Sequence, residues 1–290
     1  MDLRRLGLFL AVVDHGGMTR AAEAEHVSQP SVSQAVRELE SELGTSLFHR
    51  IGRQVKLTAA GEALVGPARR ALRDVEIGRA AVAAVAGVDA GKLDIAALPT
   101  LAMDPLAPIV GAFRRMHPGV TVALADPADA DELDQMVANG SCELGLTVRT
   151  AGSLTLVRRQ LGVQDLLAVL PPGSRPSGRT MTITAFARLP LVTAPSGTAT
   201  RNQLDDAFSA AGITARIAVE ASQREAILPL VLAGAGATLY PRPLAEQAAA
   251  LGATVVALRP RLSRPVVLVQ RDGPSSPAAA AFVAAARMQT

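Results

Sequence analysis

The chain has 290 residues, of which 49% are hydrophobic and 19% charged, so it exceeds one typical domain and can build sizeable cores. Its net charge of +3 and pI of about 9.7 are compatible with nucleic acid without demanding it. One cysteine, Cys142, excludes an internal disulfide and fits a reducing cytoplasm, where it reads as an inert buried thiol.

Arg4-Arg5 followed by LGLFLAVV superficially resembles a signal peptide. The run is short, lacks a small-residue cleavage site and is closed by Asp14-His15-Gly16-Gly17. Leu3, Leu6, Phe9, Leu10 and Val13 instead make a helical stripe, predicting a first helix. Thr19 to Glu25 reads as a short Ala-rich helix, and His26-Val27-Ser28 as a turn with Ser28 as N-cap. Gln29-Pro30 opens the next helix, since proline tolerates the first turn, and Gly44 closes it. Within it Val32, Val36, Leu39 and Leu43 form one apolar stripe, and Gln29, Ser31, Ser33, Gln34 and Arg37 lie off it. Such hydrogen-bonding side chains near a helix start suit base edges and phosphates. An ordinary amphipathic helical hairpin would show a similar pattern. The residues after Gly44 favour the recognition helix: two short segments flank Ile51-Gly52 as a hairpin, carrying Arg50, Arg53 and Lys56 and no acids.

This stretch resembles the N-terminal domain of the LysR-type transcriptional regulators. The resemblance rests on Phe9, Thr19-Arg20-Ala21-Ala22, Val27-Ser28-Gln29-Pro30-Ser31-Val32-Ser33, Leu39-Glu40, Leu43-Gly44, Leu47-Phe48, Arg50, and Leu57-Thr58 with Gly61. It implies a winged helix-turn-helix over residues 1–58. Gln29, Pro30, Ser31, Ser33, Gln34 and Arg37 are then expected at the major groove of double-stranded DNA, with Arg50 and Arg53 on the backbone or minor groove. Glu25 stands where the family usually has a buried Leu. Either the short helix is shifted or frayed at its end, or Glu25 turns to solvent.

Ala59 to Val88 reads as a long helix, kinked near Gly66-Pro67. Leu64, Ala68, Ala71, Leu72, Val75, Ile77 and Val82 could pair with a second copy. The resemblance implies a dimerising linker helix over 59–90, hence a homodimer or homotetramer on a roughly palindromic site, with RNA polymerase as a further expected partner.

Asp89-Ala90-Gly91 marks a boundary, beyond which strand and helix patterns alternate. Strands are expected at Lys92–Leu98, Val120–Ala125, Glu143–Val148, Leu156–Val163, Leu166–Leu170, Leu191–Thr193, Ala215–Glu220, Ala237–Tyr240, Thr254–Leu258 and Val266–Gln270, and helices at Pro105–His117 and Asp129–Ala138. The pattern predicts an α/β domain with mostly parallel strands. It resembles the family's effector-binding domain, which implies two lobes with the periplasmic-binding-protein fold: lobe I at 91–163 and 266–290, lobe II at 164–265, joined by two crossing strands near Val163 and Val266.

A ligand is expected between the lobes, at strand C-termini and helix N-termini. Lobe I offers Leu98, Pro99, Thr100 and Thr147; lobe II offers Ser196, Gly197, Thr198, Glu220 and Ala221. Small hydroxyls and amides suit a small organic anion. Arg149 is either a counter-charge or a surface arginine.

No catalytic constellation or metal-ligand cluster emerges, and no cofactor is expected. Ala233-Gly234-Ala235-Gly236 lacks the third glycine of a dinucleotide loop. No segment reaches the length of a membrane span; Ile227 to Tyr240 is interrupted by Pro229, Gly234 and Gly236. The expectation is a cytoplasmic, effector-responsive DNA-binding regulator. The competing readings are a solute-binding protein without gene regulation and an enzyme with a nucleic-acid tether.

Overall fold

The computed structural model describes residues 1–51, 54–85, 91–152, 154–176 and 178–289. The N-terminal unit comprises α1 (Leu3–His15), α2 (Met18–Ala24), α3 (Gln29–Leu43) and the antiparallel pair β1 (Phe48–Ile51) and β2 (Gln54–Leu57). Asp2 N-caps α1, and Gly16, at φ +65°, closes it in the left-handed conformation that glycine tolerates. The expected single stripe on α1 understates its burial. Leu8, Ala11 and Val12 pack against α2 and α3, and Leu6, Phe9 and Leu10 pack on the opposite side against Leu39, Leu47 and Ala68. A helix buried on both sides is the hub of its domain. Leu3 and Leu43, expected in the apolar stripes, are exposed because each lies at a helix end beyond the packed turns.

Helix α4 (Ala59–Val85) follows β2 directly. Thr58 is its N-cap: its hydroxyl accepts from Gly61 N at 3.0 Å and donates to the Ser46 carbonyl at 2.7 Å. Pro67 sits inside an unbroken helix. The expected end of this helix at Val88 and the Asp89-Ala90 boundary lie outside the described residues. The expected dimer stripe is partly occupied within the chain. Ala68 and Ile77 are buried, Leu64, Ala71 and Leu72 pack on the α1 core, and Val82 and Val85 remain exposed.

Lobe I holds β3 (Gly91–Ala97), α5 (Pro99–Leu101), a segment kinked at Asp104 (Ala102–Leu106), α6 (Ala107–Met116), β4 (Val120–Ala125), α7 (Ala130–Ala138) and β5 (Leu144–Thr147). The chain then crosses on β6 (Val157–Leu170) into lobe II: β7 (Thr180–Thr182), α8 (Ile183–Ala187), β8 (Leu191–Thr193), α9 (Ala199–Ala210), β9 (Ile217–Glu220), α10 (Ile227–Leu232), β10 (Thr238–Pro241) and α11 (Arg242–Ala250). It returns on β11 (Thr254–Gln270) and ends in α12 (Pro277–Gln289). The order in the main sheet is β10-β6-β11-β5-β3-β4, with β7 also on β11.

Three sequence expectations change here. The strands expected separately at 156–163 and 166–170 are one strand, β6, and those at 254–258 and 266–270 are one strand, β11. The polar residues between the apolar runs stay in the ladder, since Gln164 pairs with Arg264. The sheet is mixed rather than mostly parallel. β3, β4 and β5 are parallel, as are β8 and β9, while β6 and β11 run antiparallel to each other. The helix expected at 105–117 is α6, preceded by a kink at Asp104, whose backbone is extended (φ −153°, ψ 122°), and Asp129 caps α7 rather than belonging to it.

Glu143 is buried. It accepts from Ser276 N (2.6 Å) and Ser276 Oγ (2.8 Å), and Ser276 Oγ accepts in turn from Ala279 N at the start of α12. These bonds fix the start of α12, the last helix of lobe I.

A Cβ built on Gly61 would meet the Leu47 carbonyl at 2.2 Å. Gly61→Ala is therefore expected to destabilise the N-terminal unit by about 2 kcal/mol or more, despite alanine's better helix propensity. Thermal unfolding checks this, and an unchanged Tm contradicts it.

Candidate functional site

The first candidate surface is the outer face of α3. Ser28 N-caps it through Ser31 N (3.3 Å), and Gly44 ends it at φ +68°. Val32, Val36 and Leu39 fix the inner face. Gln29, Pro30, Ser31, Gln34 and Arg37 are exposed on the other side. Gln34 bridges two neighbours, donating to Glu38 (2.8 Å) and accepting from Arg37 Nη2 (2.8 Å). Ser33 departs from its expected place. It is buried at 8% exposure, and its hydroxyl accepts from Gln29 Nε2 at 2.7 Å. It follows Val32 on a helix whose inner face is close-packed, so it orients Gln29 rather than facing solvent. Glu25 is the exposed C-cap of α2, which resolves its two readings in favour of solvent. Arg53, the Ile51-Gly52 turn and the side chain of Arg50 lie outside the described residues. The wing's base is fixed by Glu40, which accepts from Leu47 N at 2.7 Å.

Helix α4 is fastened to lobe I through a cluster of polar contacts. Arg73 Nη2 donates to Asp94 (2.7 Å) and to the Ser141 carbonyl (3.1 Å), and its Nε donates to Gly140 O (3.2 Å). Arg69 reaches Ser141 Oγ at 3.1 Å and also bonds Asp14 of α1, so one side chain touches both units. Arg271 pairs with Asp74 at 3.3 Å. A cavity of about 580 Å³ lies along this seam, lined by residues that include Leu72, Arg73, Ile77, Lys92 and Ser141.

The second candidate site is the junction of the lobes. Pro99 and Thr100 open α5; Ser196, Gly197 and Thr198 precede α9. Thr198 Oγ1 donates to Pro195 O, and Gly197 N donates to Asn202, so both groups serve the local turn. Thr147 is fully buried in β5, and Leu98 and Ala221 are buried too, their backbones engaged in sheet-like bonds. Glu220 is held by Arg201 (3.1 Å). Arg149 pairs with Asp131 and lies 3.9 Å from Asp134, so it belongs to a lobe I ion cluster. Asp131 is accordingly held below the usual carboxylate range by the Arg149 hydrogen bond.

Of these expected residues, Thr100 is the one tied directly to the opposite lobe, through side chains the sequence reading passed over. Arg264, 3% exposed, donates from Nη2 to Thr100 Oγ1 (2.7 Å), from Nη1 to Thr200 Oγ1 in α9 (3.1 Å), and from Nε to Gln164 Oε1 (2.8 Å). Gln164 Nε2 in turn donates to Asp104 O (2.7 Å) and Asp104 Oδ2 (2.9 Å). Burial pulls the Arg264 guanidinium down to about 10, with the Asp104 charge acting the other way, so it stays charged at pH 7. A signal for these residues was present. Gln164 and Arg264 each stand two positions before a strongly apolar run, Leu166–Leu170 and Val266–Val269. A charge at that place in a strand, paired with an amide, marks an interior polar network.

Among the described residues no group of three or more His, Cys, Asp or Glu is placed to hold a metal, and no helix is long and apolar enough to cross a membrane. Cys142 is buried, and burial first, then the Asp94 charge, pushes its thiol up to about 11.

Comparison with known proteins covers nearly the whole chain. The family model for bacterial regulatory helix-turn-helix proteins of the lysR family matches residues 3–62, and the LysR substrate-binding-domain model matches residues 86–290. A RuBisCO operon transcriptional regulator from Allochromatium vinosum is 33% identical over 241 residues, 81% of this chain and 78% of that protein. The nitrogen assimilation regulatory protein nac of Klebsiella aerogenes is 31% identical, over 85% of this chain and 80% of its own. Full-length CbnR, solved in complex with its target DNA, covers both chains completely at 27% identity and a TM-score of 0.69. A full-length OxyR variant from Pseudomonas aeruginosa shares the fold, with a TM-score of 0.79 at 22% identity over 99% of this chain and 95% of its own.

Two outcomes are expected from the geometry around Arg73. Arg73→Ala leaves Asp94 without its closest arginine partner, and is expected to cost about 1–3 kcal/mol and to speed hydrogen exchange in Val75–Val85; unchanged exchange there contradicts the anchoring role. Cys142 is expected to resist iodoacetamide in the native protein at pH 7.5 and to react once unfolded. Because its thiol is raised, the stability it contributes is full below about pH 8.5 and is lost as pH climbs toward 11.

Proposed function

The chain belongs to the LysR family of bacterial transcriptional regulators, and on that premise we propose how its parts divide the work. It is a DNA-binding transcription factor whose activity a small-molecule effector modulates. Residues 1–58 bind the operator, 59–90 link and dimerise, and 91–290 hold the effector. The relatives' roles in transcription favour this reading over a solute-binding protein or a tethered enzyme.

The observation that carries the reading is the two-sidedness of α3. Its inner face is locked by Val32, Val36 and Leu39, while Gln29, Pro30, Ser31, Gln34 and Arg37 stand out together. In our reading Gln29, Gln34 and Arg37 read base edges in the major groove, Pro30 and Ser31 approach the backbone, and Ser33 holds Gln29 in its rotamer. Arg50 and Arg53 contact phosphates or the minor groove.

With Ala68 and Ile77 buried within the chain, the dimer seam moves to Val75, Gly78, Val82 and Val85. Their 3-4-3 spacing is that of a helix pair, and Val82 and Val85 are 73% and 91% exposed. Two copies present two recognition helices to one palindromic site, and a pair of dimers completes a tetramer that RNA polymerase meets in the cytoplasm. The effector, an organic anion, binds between the lobes near Pro99-Thr100 and Ser196-Gly197-Thr198. Its coupling to DNA binding is of the order of 1–3 kcal/mol.

Mobility shift on the DNA upstream of the protein's own gene tests the reading face. Gln29→Ala combined with Arg37→Ala is expected to weaken specific binding by about 30-fold or more, roughly 2 kcal/mol. Undiminished affinity in that double variant sinks the assignment.

A further inference from the structure

The N-terminal unit, helix α4 and lobe I meet around one space. The cavity of about 580 Å³ along the α4 seam is walled by Leu10 of α1, by Leu72, Ile77, Ala80 and Ala83 of α4, and by the start of β3. Small-molecule pockets measure roughly 300–1,000 Å³ and gather at domain interfaces. Near Arg70 the seam is tight: a Cβ added to Gly140 would lie 3.4 Å from the Arg70 Cα. Farther along the helix, Ala80 and Ala83 share the cavity with Gly91 and Lys92, and the seam is left unfilled. This is not the face left for a second copy. At 3.6 residues per turn, Leu72, Ile77, Ala80 and Ala83 lie on one side of α4, and Val75, Gly78, Val82 and Val85 on the other. The charges that line the cavity are unequally matched. Asp94 spends one carboxylate oxygen on Arg73 (2.7 Å) and the other on Lys92 (2.7 Å). Glu143 spends both of its oxygens on Ser276. Among the described residues the Lys92 ammonium has Asp94 as its one ion-pair partner, shared with Arg73, and the Arg79 guanidinium has Glu76. Lysine carries three donors and arginine five, so both side chains keep N–H groups uncommitted, and both are exposed at the edge of the cavity. The positive field reaches inward too: Arg73, Lys92 and Arg69 all pull the Cys142 thiol down, against burial and Asp94.

We propose that this junction is a second ligand site, separate from the interlobe cleft, for a small amphipathic anion: its apolar body lies against Leu72, Ile77 and Ala80, and its one acid group sits at the rim with Lys92 and Arg79. The acid group takes up the uncommitted donors in charge-assisted hydrogen bonds. The apolar body removes the alanine and leucine wall from water. A neutral molecule of the same shape gains only the second of these terms, and a cation meets Lys92 and Arg79 as like charges. Because the walls come from α1, α4 and lobe I, an occupant touches all three at once. It therefore favours the arrangement in which the effector-binding half is docked on α4 and the N-terminal unit, and any ligand-dependent change there is registered next to the DNA-binding helices. The cleft between the lobes takes no part in this site, since none of its walls belongs to lobe II.

The test titrates the full-length protein with 8-anilinonaphthalene-1-sulfonate, which brightens in apolar surroundings, and with N-phenyl-1-naphthylamine, the same skeleton without the sulfonate. Wild type is expected to bind the sulfonate saturably and about 10-fold more tightly than the neutral amine. Lys92→Gln combined with Arg79→Gln changes two exposed side chains, and is expected to weaken the sulfonate by about 5-fold or more while leaving the neutral amine unchanged. Ala80→Leu fills the apolar wall and is expected to weaken both molecules by about 10-fold; the glutamine pair decides the matter where Ala80→Leu does not fold. Amide hydrogen exchange locates the site: the saturating sulfonate is expected to slow exchange in Ile77–Val85. Absence of saturable binding in wild type, equal affinity for the two molecules, affinities that survive in both variants, or protection confined to the interlobe residues Ser196–Arg201 overturns the proposal.

Discussion

The pairing of β6 with β11 is the constraint on which the C-terminal half depends. These two strands, Val157–Leu170 and Thr254–Gln270, run antiparallel through both lobes and contribute to each lobe's sheet. At one end they join β5, and through it β3 and β4; at the other they carry β10 and β7. The lobe cores, around Leu93, Ile95 and Phe113 on one side and Phe186, Leu204 and Phe208 on the other, are therefore separate bodies sharing two strands. Shared strands allow rotation between the lobes while the ladder stays intact. They also force whatever lies at their midpoint to sense that rotation. The register shift between Ala257 and Leu262 falls on the lobe II side of that midpoint, where a bulge increases local twist.

A second constraint runs from lobe I to the DNA-binding unit. Helix α4 is continuous from the wing to Val85, and its Arg69 and Arg73 grip the Gly140-Ser141 turn and Asp94 while its Ala68 fills the core beneath α1. Contacts thus run from Asp94 in β3 through α4 to the core beneath α1, and Thr100, just beyond the other end of β3, bonds Arg264.

The buried charged groups are satisfied in different ways. Glu143 has both oxygens satisfied by Ser276, whereas Asp134 binds Arg158 through one oxygen at 2.6 Å and its other oxygen has no partner among the described residues. Arg264 hydrogen-bonds neutral groups, Gln164, Thr100 and Thr200, while the Asp104 charge favours its charged form.

Much of this protein is legible in its sequence, because local rules dominate there. The helix-turn-helix follows from Ser28 as N-cap, Pro30 in the first turn, Gly44 at the end and apolar residues at helical spacing, all of which act within a few residues of themselves. Most lobe I and lobe II strands follow from short apolar runs. Tertiary structure alone decided the rest, since those features depend on residues far apart in the chain. Ser33 turned inward because α3 packs on α1 and α2. Ala68 and Ile77 went to the chain's own core, a partner that periodicity cannot tell from a second copy. Two pairs of strands fused because Gln164 and Arg264, a hundred residues apart, satisfy each other across a ladder. Only the crossing of two strands between two lobes removes Arg264 from water and brings Thr100 and Thr200 to its sides.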